Sequence, residues 1–364
     1  MKQLVKPRIL TIEPYCPGKP IDEVKRELGL KKVIKLASNE TPYGPSPKVL
    51  KAITKAAREI NRYPDGGCFY LRQALAKKLK VSANQLIFGN GSDEIIILAL
   101  RAFVNEGDEV IIARPSFLIY EIGAKIVGAN IKAVPLKNFD YDLEGMADAI
   151  TEKTKIIFIG NPDNPAGTYM SQQRIANFLA KVRQNMIVFI DQAYFEYVLA
   201  KDYPDCIEFI QKYRNVIVIR TFSKMYGLAG LRVGYGVADP EVIDILNRLR
   251  EPFNINSIAQ EAALACLHDQ AYYRRAAKNI EQQRQYLYQA IRKMGLRVIE
   301  SVTNFILIDV KQKSETVSNA LLKKGVIVRD MAFWGLDSFI RVTIGSEEEN
   351  KLFIKTLNAV LSNK

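Results

Sequence analysis

Lys224 lies in the segment Arg220-Thr221-Phe222-Ser223-Lys224-Met225-Tyr226-Gly227-Leu228-Ala229-Gly230-Leu231-Arg232, directly behind the apolar run NVIVI. A lysine near cations and partly desolvated favours its neutral amine, the form that attacks a carbonyl to make a Schiff base. Thr221, Ser223 and Arg232 suit a phosphate, which a guanidinium grips bidentately. A second group is Gly89-Asn90-Gly91-Ser92-Asp93-Glu94. Its glycines let a ligand approach the backbone and Ser92 can cap a helix, so amides and hydroxyl form an anion cup. The same residues also make an ordinary capped turn. Asn161-Pro162-Asp163-Asn164-Pro165-Ala166-Gly167 follows the run KIIFIG and reads by itself as a turn. Asp191 closes the run MIVFI, with Tyr194 three residues later. A carboxylate there is either exposed at the sheet edge or aimed at a ligand, because α/β folds bind ligands at the carboxyl ends of parallel strands.

Other chemistries are closed by composition. His268 is the one histidine, which excludes multi-histidine metal sites and predicts no metal. The four cysteines (Cys16, Cys68, Cys206, Cys266) are far apart with no C-x-x-C pair, and read as reduced thiols rather than as a disulfide or zinc framework. No G-x-x-x-x-G-K-[ST] occurs, and no strand leads into G-x-G-x-x-G, so P-loop and dinucleotide fingerprints are absent. The net charge of +13 invites a nucleic-acid reading, but residues 1–62 alone carry +8 of it. With no nucleic-acid-binding signature elsewhere, a basic face favouring small anions is the preferred reading, and no nucleic-acid partner is expected. No apolar run reaches spanning length, and MKQLVKPRILTIEPY lacks a signal-peptide core, so a cytoplasmic chain with no membrane partner is expected.

The elements that must position these groups follow from periodicity. In a chain of 364 residues, two domains are the prior. QLIFG, EVIIA, KIIFIG, MIVFI and NVIVI are short β-branched runs, apolar on both sides, and four helical stretches are interleaved among or just ahead of them. That alternation predicts an α/β unit with a mainly parallel sheet over roughly residues 45–255. Beyond PFNIN the chain reads as long helix over 257–294, then strands LRVIE, FILIDV, GVIVRD and FIRVTIG and a terminal helix. This is a smaller α+β unit. The expected division is a Pro-punctuated arm over 1–32 packing on the small domain, a large domain over 33–256 and a small domain over 257–364.

In order, Gly-Ser-Asp, Asn-Pro-x-x-Pro-x-Gly, Asp-x-x-Tyr and Ser-Lys-x-x-x-x-x-Gly-x-Arg resemble the pyridoxal-phosphate aminotransferases of the aspartate-aminotransferase fold. Within that class-II family, LASNETPYGPSP, RYPDGGCFYLRQALA, GNGSDEIIILALRAF, RTFSKMYGLAGLRVGYG and IRVTIGSEEEN are similar to the histidinol-phosphate aminotransferases. The likeness spans nearly the whole chain.

The resemblance implies pyridoxal 5'-phosphate held covalently by Lys224, which also moves the substrate proton. It implies Asp191 on the pyridine nitrogen, with Tyr194 and Asn164 on the phenolic oxygen. Gly91, Ser92, Asp93, Thr221, Ser223 and Arg232 would hold the phosphate end. Phe117 would stack on the ring, where relatives commonly have tyrosine. Tyr63 would reach the phosphate of a neighbouring subunit, implying a homodimer with interfacial sites. Tyr15, Asn39, Arg329 and Arg341 would meet substrate, the two arginines taking carboxylate or phosphate; the alternative for Arg329 is a surface ion pair. The implied reaction exchanges an amino group between histidinol phosphate and 2-oxoglutarate, giving imidazole acetol phosphate and glutamate, in histidine biosynthesis. Aromatic amino-acid transamination and threonine-phosphate decarboxylation are the alternatives on the same scaffold. Ala166, Gln192 and Asp163 depart from the residues common in relatives, and none is a group assigned to chemistry.

Overall fold

A computed structural model of the chain describes residues 2–14 and 18–362. Its strands are β1 (Ile34–Leu36), β2 (Leu86–Gly89), β3 (Glu109–Arg114), β4 (Asn130–Pro135), β5 (Thr154–Gly160), β6 (Ile187–Asp191), β7 (Val216–Thr221), β8 (Gly234–Val237), β9 (Arg297–Ile299), β10 (Phe305–Asp309), β11 (Val326–Asp330) and β12 (Phe339–Thr343). Seven form one sheet in the order β2-β8-β7-β6-β5-β3-β4, and five form another in the order β1-β11-β12-β10-β9.

The first sheet is parallel from β4 through β7, and β8 runs antiparallel between β7 and β2. Its central strands alternate between two cores. Ile157, Ile159, Val188, Ile190, Val216 and Val218 face one, while Ile156, Phe158, Phe189, Ile217 and Ile219 face the other. A period of two with apolar side chains on both faces is what burial between helix layers requires. The α/β, mainly parallel reading therefore holds. Two strands of this sheet lay outside it. β4 is a half-exposed edge strand with little apolar signal, and β8 (GYGV) carries glycines where its neighbours leave no room. A Cβ on Gly236 would stand 3.1 Å from Ile87.

Two segments sit differently from the expected division. β1 pairs in parallel with β11, so residues 34–36 belong to the second sheet. The helical stretch after 257 divides into Ser257–Leu267 and Gln270–Lys293, because Asp269 leaves helical dihedrals (φ −123°, ψ 45°). The first of them packs on the helices Pro47–Ala56 and Phe69–Leu79, both in the segment expected for the large domain. In the arm, the helix Ile21–Leu28 buries Val24 against Val33 and Ile327 of the second sheet's layer. No described helix is long and apolar enough to cross a membrane.

Candidate active site

The carboxyl ends of β5, β6 and β7 lie side by side, with Gly160 opposite Asp191 and Asp191 opposite Ile219. They open on a cavity of about 390 Å³, a size that suits a small ligand. Asp191 is 8% exposed. One carboxylate oxygen accepts from the Ala193 amide at 2.9 Å, the other from the Tyr120 hydroxyl at 2.8 Å. Burial pushes its carboxyl up to about 6, against the pull of those hydrogen bonds and of Lys224. Tyr120 is fixed in turn, stacked on Phe158 with ring centroids 4.7 Å apart and meeting Phe117 edge-on at 5.6 Å.

Lys224 follows β7, and its Nζ donates to the Ser38 carbonyl at 3.2 Å and lies 5.8 Å from the Tyr194 ring centre. Burial, with the cations of Arg341 and Arg232, brings its amine down to about 8 against the opposing pull of Glu40 and Asp191. The stretch just after β1 is the seam between the two sheets. The Ala37 carbonyl accepts from Arg341 Nη2 at 3.2 Å, and Asn39 Nδ2 donates to the Tyr194 hydroxyl at 2.9 Å. Asn39 has φ +54°, and its amide donates to Thr343 Oγ1 at 2.9 Å, while its carbonyl accepts from Asn304 Nδ2. Arg341 Nη1 donates to Asn164 Oδ1 at 2.5 Å, so the arginine of β12 and the turn after β5 are joined across the cavity.

At the other end, Gly91 (φ +86°) leads into the helix Ser92–Phe103. Arg232 Nη2 pairs with Asp93 at 2.8 Å and Nη1 reaches Ser223 Oγ at 3.5 Å. A Cβ on Gly91 would fall 2.2 Å from Arg232 Nη2, and one on Gly234 2.5 Å from the Ser92 amide. Hydroxyls, a guanidinium and a helix N-terminus thus enclose a cup that tolerates no side chain at either glycine, which suits an anionic group. The whole arrangement fits a flat ring with a basic nitrogen facing Asp191, an anionic tail in the cup and a reactive carbonyl near Lys224.

Thirteen of the residues singled out from sequence bear on this cavity. Gly91, Ser92, Asp93, Phe117, Asn164, Asp191, Tyr194, Thr221, Ser223, Lys224, Arg232, Asn39 and Arg341 line it or its cup. Arg329 does not. It neighbours Arg341 across the β11–β12 pair, but its guanidinium lies 5.0 Å from the Trp334 ring centre and it lines an adjoining cavity. Tyr63 is 83% exposed and stacked on Phe253, away from the cavity, and Tyr15 lies outside the described residues. Sequence reasoning missed Ser38, Tyr120, Asp163 and Trp334. Tyr120 carried no sequence signal: it follows Phe117 by three residues, but Phe117 is the extended N-cap of the helix Leu118–Val127 and not part of its face.

The family model for class I and II aminotransferases matches residues 31–357. A histidinol-phosphate aminotransferase of Moorella thermoacetica is 48% identical over 355 residues, 97% of this chain and 92% of that protein. The structure of histidinol-phosphate aminotransferase from Sinorhizobium meliloti in complex with pyridoxal-5'-phosphate superposes with a TM-score of 0.91 at 28% identity, covering 99% of this chain and 98% of that one. A Thermus thermophilus aspartate aminotransferase double mutant, at 21% identity over 98% of this chain and 99% of that one, shares the fold with a TM-score of 0.86. A match of this extent, on a cavity with an amine, a buried carboxylate and an anion cup, identifies the chain as a member of the class I and II aminotransferases.

Proposed function

We propose that this transaminase moves an amino group between L-histidinol phosphate and 2-oxoglutarate, giving imidazole acetol phosphate and glutamate, with pyridoxal 5'-phosphate held covalently by Lys224. The observation that carries the reading is the meeting of Lys224, Asp191 and the Ser92–Ser223–Arg232 cup in one cavity, in a chain 48% identical to a histidinol-phosphate aminotransferase. When bound, pyridoxal phosphate supplies a carbonyl that takes the amino group and a ring that draws electrons from the substrate Cα.

The chain's own residues do the rest. Asp191 holds the proton on the ring nitrogen, and its hydrogen bonds to Tyr120 and Ala193 keep the carboxylate aimed. Tyr194, steadied by Asn39, and Asn164 bind the ring oxygen. Lys224 has a depressed proton affinity, so near neutral pH its Nζ can take and return the proton at the substrate Cα. The segment Ala37–Asn39 and the side of Arg341 roof the site, which strengthens charge interactions inside it. Arg341 receives the anionic end of either substrate, the glutamate carboxylate or the histidinol phosphate ester, since both accept paired hydrogen bonds.

The active form in this reading is a homodimer, and the exposed aromatic residues Tyr63, Phe69, Tyr70 and Phe253 support an interface near Tyr63. Buried free thiols at Cys68, Cys206 and Cys266 accord with a cytoplasmic setting. Half-reactions with histidinol phosphate and with phenylalanine test the donor. The expected result is a kcat/KM at least about tenfold higher for histidinol phosphate, a preference of roughly 1.4 kcal/mol. A clear win for phenylalanine would overturn the donor while leaving the transamination chemistry in place.

A further inference from the structure

Trp334, the one tryptophan of the chain, lines the cavity that holds Lys224 and Arg341. It also lines an adjoining cleft of about 320 Å³, apolar at Leu118, Ile122 and Phe333 and charged at Arg114, Glu121 and Lys125. Phe117 and Trp334 are the residues common to both linings, so together they form the partition between the two spaces. The indole is latched in that position. Its Nε1 donates to the carbonyl of Ser116, the residue before Phe117, at 3.1 Å, and Arg329 lies 5.0 Å from its ring centre. The latch crosses from one half of the molecule to the other. Trp334 ends the short turn Ala332–Trp334 between β11 and β12, whereas Ser116 precedes the helix Leu118–Val127 beside β3.

We propose that Trp334 is a specificity-determining residue that sets the size of the donor side chain: latched to Ser116, it confines the donor to the cavity and keeps the adjoining cleft, with its apolar inner wall of Leu118, Ile122 and Phe333, shut to larger rings. The inference rests on the donor reading above. A small heteroaromatic ring fits against the indole face with the partition closed. A phenyl or fused ring needs the space behind it, and apolar walls there would reward its burial. Arg329, touching the indole and not the cavity, is then a positioning residue.

The test compares Trp334→Ala, Trp334→Phe and the parent protein in half-reactions with histidinol phosphate, phenylalanine and tryptophan. Joining the two spaces in Trp334→Ala should raise kcat/KM for the aromatic amino acids relative to histidinol phosphate by about tenfold or more, the scale on which an apolar pocket discriminates. The gain should appear mainly in KM. Trp334→Phe, which keeps a ring without the N–H donor, should fall between the two. Because the parent's intrinsic indole emission comes from Trp334 alone, Arg329→Leu should shift that emission in protein free of cofactor, whereas Arg329→Lys should restore it. Ratios within about twofold of the parent in both Trp334 variants would overturn the proposal. If the parent turns over no histidinol phosphate, the donor reading fails by itself. The partition is then judged on tryptophan against glutamate: a tenfold rise in Trp334→Ala upholds it, and an unchanged ratio refutes it.

Discussion

Two side chains at strand ends are assigned the proposed chemistry, and burial moves their proton affinities in opposite directions. Desolvation lifts Asp191 to about 6 and, with nearby arginines, lowers Lys224 to about 8. At pH 7 the neutral amine is then about one molecule in ten at Lys224, against fewer than about one in a thousand for an ordinary lysine. Because only the neutral amine attacks a carbonyl, the rate at which cofactor-free protein takes up pyridoxal phosphate should climb tenfold per pH unit below 8. It should level off above that. Stopped-flow absorbance over pH 6 to 10 reads this directly, and a rate still climbing at pH 10 would mean that the lysine is not desolvated. Asp191 could be read as functional from its place at the end of a wholly apolar run, and Lys224 from its hydroxyl and arginine company. Tyr120 and Trp334 could not. Each enters the cavity through packing, Tyr120 by lying flat on Phe158 and Trp334 by a hydrogen bond to a residue 218 positions away.

Among the elements, the strands that position the site were the most legible because burial on both faces demands unbroken β-branched runs, as in β5, β6 and β7. β8 was hidden by the reason it exists in that form. Its glycines let it run beside the amino end of the helix Ser92–Phe103, and a Cβ on Gly234 would press on the Ser92 amide at 2.5 Å and the Ser92 Cα at 2.8 Å. Both atoms belong to the backbone and cannot swing aside. Gly234→Ala should therefore push the first helical turn out of the cup, weaken pyridoxal-phosphate binding by about tenfold or more and destabilise the fold by about 1–3 kcal/mol. Equilibrium dialysis and thermal melts check the two parts, and unchanged affinity would detach the cup from the anion. Arg329 illustrates the opposite case. The resemblance pairs it with Arg341, and the two are neighbours across β11 and β12, yet its guanidinium lies against the Trp334 ring and it does not line the cavity.

For the molecule as a whole, the cavity is assembled at the junction of two sheets, and it stores buried carboxylates there. Asp191 and Asp163 are raised by burial to about 6 and about 7, above the roughly 4 of an unfolded aspartate. Between pH 4 and 7 these two groups bind more protons in the folded chain than in the unfolded one, so they make stability fall as pH rises through that window. Lys224, depressed when folded, acts in the opposite sense only between about pH 8 and 10.5. The melting temperature of cofactor-free protein should fall from pH 5 to pH 8, and by less in Asp163→Asn or when pyridoxal phosphate gives Asp191 a cationic partner. Equal slopes in all three samples would mean that the carboxylates are solvated. The most direct measurement of the central assignment is borohydride reduction of the protein loaded with pyridoxal phosphate, followed by peptide mass mapping. The expected result is loss of the visible band and one stable adduct, on the peptide carrying Lys224, absent in Lys224→Ala. An adduct on another lysine, or the same labelling in Lys224→Ala, would contradict it.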